Sequence, residues 1–115
     1  MITVKVKNTG ELVATNVQVA NNPYTRVMGL MFKSSMNGMG GLLLNPCNSI
    51  HTFFMRFPID VIFISKEDVV IEVKRSLAPW RMTWIYFKAR KTLELPSGSI
   101  PESIKEGTQL EVEGV

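Results

Sequence analysis

The stretch CNSIHTFFMRFPIDVIFI, residues 47–64, decides how the chain folds. Its last six residues alternate strictly, with Ile59, Val61 and Phe63 on one side of a strand and Asp60, Ile62 and Ile64 on the other. Both sides are apolar beyond Asp60, so this strand is expected to be covered on both faces, as a central strand is. The preceding residues hold the chain's only cysteine, Cys47, and its only histidine, His51, followed by Arg56 and Pro58. Polar chemistry is therefore concentrated at the entrance of a buried strand.

Outward from that strand, the pattern stays β-rich. ITVKVK (residues 2–7) alternates and reads as a half-buried strand, and LVATNVQVA (12–20) reads as its antiparallel partner across the turn Asn8-Thr9-Gly10. GLLLN, VVIEVKR, TWIYF, TLELP and TQLEVEG supply further short strands, with SKED as a turn and SLAPWRMT as a loop. NNPYTRVMGLMFKSS (21–35) changes period: Asn22 caps, Pro23 suits the first helical position, and Tyr24, Val27, Met28 and Met31 share a face. PESIKEG offers one more helical turn. The expected fold is mainly β (β-rich α+β), a compact antiparallel sandwich or open barrel with one or two short helices.

The 115 residues suit a single domain spanning 1–115. At 45% hydrophobic and 20% charged, the chain can build a core without disulfides, which one cysteine could not form internally. No apolar run reaches the ~18 residues that span a bilayer, and a reducing cytoplasm is the simplest address. A net charge of +3 favours anionic partners without being a nucleic-acid footprint.

Cys47 and His51 could form a nucleophile and base if folded together, but Pro46 and the strand pattern argue against the helix that would juxtapose them. Core filling is the blander reading. One cysteine and one histidine cannot make a tetrahedral zinc site, and Met28, Met31, Met36 and Met39 read as core filler, so neither metal nor cofactor is expected. KRSLAPWRMTWIYFKARK, residues 74–91, carries six basic residues (Lys74, Arg75, Arg81, Lys88, Arg90 and Lys91) and no acid among Trp80, Trp84, Tyr86 and Phe87. Single-stranded nucleic-acid binders use that mixture. A strand with aromatics inward and a solvated basic face explains it more simply. Asp60, alone among apolar residues, must find hydrogen-bond donors, either an arginine or backbone N–H groups.

RVMGLMF (26–32), GLLL after a glycine turn, and IHTFFMRFPIDVIFI followed by SKEDVVIEV together resemble the family called domain of unknown function 192. The resemblance covers about residues 10 to 113: Arg-x-x-Gly-Leu, then Phe54-Met55-Arg56 and Pro58-Ile59-Asp60, with Cys-x-Ser-hydrophobic-His-Thr marking one branch. Phe54, Arg56 and Phe57 depart from branches that carry Trp-Met-Lys-Asn-Thr. The resemblance implies a compact β-rich domain with short helices and no established activity. Many members look exported or membrane-tethered, a feature without counterpart in these residues.

The leading functional expectation is a non-catalytic binding module with a polar cleft for an anionic or sugar-like small ligand or an acidic peptide. Its rim is expected from Arg26, His51, Thr52, Arg56, Asp60, Trp80 and Arg81, because arginine forks crowded against apolar chain need carboxylates or an anionic ligand. A Cys/His-dependent enzyme (a hydrolase or thiol chemistry) is the first alternative, and single-stranded nucleic-acid binding through residues 74–91 is the second.

Overall fold

The computed structural model describes residues 2–22, 26, 29–31, 33, 35, 36 and 38–114. Seven strands form one curled sheet in the order β5-β4-β6-β3-β2-β1-β7. They are β1 (Ile2–Val6), β2 (Leu12–Ala20), β3 (Gly41–Leu44), β4 (Ile59–Ile64), β5 (Val70–Leu77), β6 (Lys91–Pro96) and β7 (Leu110–Glu113). The expected mainly β fold is thus present, as a curled half-barrel from the sandwich-or-open-barrel alternatives, and the hairpin β1–β2 forms around Asn8-Thr9-Gly10.

All neighbours pair antiparallel except β2 with β3, which run parallel. A parallel pair obliges the chain to cross back to the same end of the sheet. Residues 21–40 make that crossover, and they bring Leu30, Met36 and Met39 down as buried cover on one face. The crossover ends at a tight approach. A Cβ on Gly40 would sit 1.6 Å from the Thr15 carbonyl oxygen, so only glycine lets the chain enter β3 there.

β4 is buried along its whole length, and its alternation separates two cores as expected. Ile62 and Ile64 join Val4, Val17, Leu43, Val70, Leu93 and Leu110 in a cluster fed by every strand, which is the inside of the curl. Ile59, Val61 and Phe63 join Leu42, Leu44, Ile50 and Met55 on the outer face, under the crossover and the 45–58 segment. Where β5 begins, the margins of the curl meet: Val69 bridges Gln109, and Val70 exchanges backbone bonds with Gly107 and Thr108, each 2.8 Å.

Two expectations change. TWIYF is not a strand. Thr83 bonds Ile50 and Tyr86 bonds Asn48 in the irregular 48–50 segment, and Tyr86 packs inward while Trp84, Ile85 and Phe87 face solvent, so no alternation of covered and wet faces develops. PESIKEG makes one tight turn, closed by Ile104 N–H to the Pro101 carbonyl at 3.1 Å. The helix expected over residues 21–35 rests on Tyr24, Val27 and Met28, which lie outside the described residues. Within it, Arg26 N–H does bond the Asn22 carbonyl at 3.0 Å, one helical turn back.

Candidate functional site

The outer face of the sheet is where a site can form. Between β3, β6 and their cover lies a cavity of about 250 Å³, walled by Leu30, Leu44, Ile50 and Met55. Four side chains bring chemistry to it: Arg26 from the crossover, Cys47 and His51 from the 45–58 segment, and Glu94 from β6.

Glu94 is the surprise. It sits opposite Leu42 of β3 and Val61 of β4 and is 4% exposed. Its Oε1 is buried with no hydrogen-bond partner among the described residues. Burial alone pushes its carboxyl up to about 8, because ionisation there is not compensated by water or by a cation. At neutral pH most of the population holds a neutral acid, able to donate one hydrogen bond as well as accept.

Cys47 is tied down. Its thiol donates to the Ser49 carbonyl at 3.1 Å, and its own carbonyl accepts from the Thr92 hydroxyl at 3.1 Å. Burial raises the thiol above its ordinary value, against lowering contributions from hydrogen bonds and the Arg26 charge. His51 Nδ1 accepts from Phe53 N–H at 3.2 Å, and its ring stacks on Phe53 with centroids 5.0 Å apart. Neutral His51 therefore carries its proton on Nε2. Neither hydrogen bond joins the two side chains, so the arrangement lacks the nucleophile–base contact that thiol catalysis requires. Alkylation of Cys47 by iodoacetamide is expected to run slower than that of a free thiol at every pH up to 9, measured by mass shift. A rate equal to a free thiol's would contradict this.

The seven residues proposed from sequence do not converge. Arg26 and His51 line the cavity. Thr52 is fully buried as a clamp: its hydroxyl donates to the Ala78 carbonyl at 2.7 Å and accepts from Arg81 N–H at 2.8 Å. Asp60 lies on the inner side of β4, where its two oxygens accept from Ser76 N–H at 2.8 Å and Ile100 N–H at 3.1 Å. Backbone donors, not an arginine, satisfy it. Arg56, Trp80 and Arg81 are exposed, with Trp80 against Phe54 at 4.8 Å between ring centroids. Glu94 was missed because TLELP alternates like a strand with one wet face. The signal available was an acid flanked by leucines and preceded by a threonine that is itself buried.

Among the described residues, no group of three or more His, Cys, Asp or Glu side chains is placed to hold a metal ion. Nor is any helix among them long and apolar enough to cross a membrane.

The curled seven-stranded half-barrel makes this a small β-rich protein, with a cavity on the covered outer face of its sheet. Residues 4–112 match the family DUF192, described as Uncharacterized ACR, and the chain belongs to that family. It is 38% identical over 94 residues to a UPF0127 protein of Pyrococcus horikoshii, covering 77% of this chain and 78% of that protein. A UPF0127 protein of Thermococcus sibiricus is 33% identical over 98 residues, and there the match spans 82% of this chain but 63% of the relative. A protein of unknown function from Novosphingobium aromaticivorans shares the fold, with a TM-score of 0.79 at 20% identity over 96% of this chain and 82% of that one.

Proposed function

We propose that the chain is a small non-catalytic binding module whose ligand seats in the outer-face cavity with a polar group on Glu94. The single observation that supports this is the unpartnered, buried Oε1 of Glu94 at the cavity wall. A buried polar atom without a partner costs a folded protein about 1–3 kcal/mol, and a ligand that supplies the partner recovers that energy on binding. Perturbed titratable groups in cavities are also where functional sites tend to be found.

The lining points to a compact organic anion, either free or as the carboxyl end of an acidic peptide. A ligand carboxylate can accept from the neutral Glu94 acid and from the Arg26 guanidinium, while its apolar part meets Leu30, Leu44 and Ile50. A sugar-like ligand would use Glu94 without needing the Arg26 charge. The volume suits a molecule displacing roughly eight waters at about 30 Å³ each.

Chemical-shift mapping with short-chain carboxylates and with monosaccharides tests the reading. Saturable shifts centred on Ser49, Ile50, His51 and Glu94 are expected with the carboxylates. Affinity is expected to fall as pH rises through about 8, where Glu94 ionises. Arg26→Ala is expected to weaken binding by roughly 10- to 100-fold, the range for a charge-assisted hydrogen bond. Absence of saturable shifts with both classes would overturn the proposal, and a response to sugars alone would move it to hydroxyl ligands. The thiol-enzyme reading has one observation in its favour, that Cys47 and His51 share the cavity. The raised thiol and the separate hydrogen bonds of the two side chains weigh against it.

A further inference from the structure

Large apolar side chains exposed on this protein are not scattered. Trp80, Met82, Trp84, Ile85 and Phe87 are 55, 71, 83, 52 and 87% exposed, all within one loop of eight residues, and Phe54 packs beside Trp80. Among the described residues only Leu12 and Val19 are comparable elsewhere. Large apolar side chains exposed together in one loop mark an interaction site.

The loop is held in that presentation. Trp80 N–H bonds the Thr52 carbonyl at 2.9 Å, Thr83 N–H bonds the Ile50 carbonyl at 3.0 Å, and Tyr86 N–H bonds the Asn48 carbonyl at 2.9 Å. Tyr86 anchors inward on Phe63, ring centroids 4.5 Å apart, while its neighbours Ile85 and Phe87 point out. The same stretch carries Arg81, Lys88 and Arg90, and Arg56 lies two residues after Phe54, all exposed, and no acidic residue occurs between Lys74 and Lys91.

We propose that residues 80–90, together with Phe54 and Arg56, form a peripheral docking surface for an anionic phospholipid bilayer. Indole and phenyl rings with interspersed cations are the side chains that settle at the headgroup level, the rings toward the acyl region and the cations on lipid phosphates. Charge selects among the other occupants. A second copy packed against the same surface would set the same four cations against themselves. A nucleic acid would satisfy the cations and stack on rings, yet Met82 and Ile85 have no ring face to offer a base and are well matched to hydrocarbon. The surface does not include the Glu94 cavity, so it stands or falls independently of ligand binding.

Both tryptophans of the chain lie in this loop, so intrinsic emission reads this surface alone. The test is flotation and tryptophan emission with vesicles of phosphatidylcholine, with and without phosphatidylglycerol. Expected are binding that requires phosphatidylglycerol, a shift of emission to shorter wavelength, and weakening with added salt. Trp84→Ala with Phe87→Ala is expected to reduce binding roughly tenfold or more, and Arg81→Gln with Lys88→Gln to weaken the lipid-charge preference. Trp84 and Phe87 are so exposed that their truncation leaves the fold intact, checked by circular dichroism. No binding to the mixed vesicles at low salt would overturn the proposal, as would binding indifferent to the Trp84/Phe87 pair. A single-stranded oligonucleotide that binds more tightly than the vesicles and quenches the emission would also overturn it. So would dimerisation that the same pair abolishes.

Discussion

Asp60→Ala is expected to destabilise the protein by about 3–5 kcal/mol, as a shift of the urea midpoint with unchanged slope. The size follows from what the carboxylate holds. Ile59 faces Leu77 and Val61 faces Lys74, so β5 carries an extra residue opposite Asp60. Such a bulge takes a backbone N–H out of the ladder. Ser76, at φ 50°, is in that bulge, and its N–H is the one that Asp60 Oδ1 accepts at 2.8 Å. Oδ2 takes Ile100 N–H from the loop after β6. Arg75, next to Ser76, donates to the carbonyls of Ile100, Pro101 and Ile104 in the same loop. Alanine leaves two backbone donors without acceptors, the Ile100 N–H in a buried position and the Ser76 N–H in a part-buried one. Asp60→Asn keeps one acceptor oxygen and is expected to cost less than alanine. A loss under about 1 kcal/mol for Asp60→Ala would show that water reaches those N–H groups.

The second large effect is on the pH dependence of stability. In the unfolded chain Glu94 titrates at its ordinary 4.5, whereas burial holds it at about 8 in the folded protein. Between those values the folded state binds more protons than the unfolded state, so stability falls as pH rises. Glu94's contribution is intact below about 4.5 and is lost by the time pH passes about 8, a span on the order of a few kcal/mol. Glu94→Gln removes the titration. The variant is expected to be much more stable than the wild type near pH 8.5, with the advantage shrinking steadily as pH falls toward 5. Urea midpoints of both proteins at several pH values below 9, under the ionisation of Cys47, measure the difference while other groups cancel. Parallel profiles would mean that Glu94 is solvated in solution.

Much of the scaffold was legible because alternation reports directly on faces. Residues 59–64 are apolar on both sides beyond Asp60, and they divide between the two cores accordingly. ITVKVK and LVATNVQVA pair as read because a turn residue set lay between them. TWIYF was not legible: β-formers promise a strand only if a neighbour offers a ladder and a covered face, and that segment has isolated bonds to residues 48–50 and only Tyr86 packed inward. The site was legible in part for the same reason. Alternation in Thr92-Leu93-Glu94-Leu95 shows two faces but not what lies over them. A twenty-residue crossover, demanded by a parallel pairing that no local pattern announces, closes over the polar one. Asp60 is legible as a polar group in need of partners, whereas Thr52, expected on the rim of a cleft, is a buried clamp. Their partners are backbone groups, so the need is already met within the fold.

The meeting of the sheet's margins at Val69, Val70 and residues 107–109 has a bearing on self-association. An open sheet with so greasy a middle strand would present two long rows of unpaired amides and carbonyls, each a template for a neighbouring molecule. Here one row is interrupted by the other at its start, and further along the guanidinium of Arg75 fastens the 100–104 loop beside it. Strand addition at the start of β5 is thereby blocked, because its backbone groups there are already paired with residues 107–110.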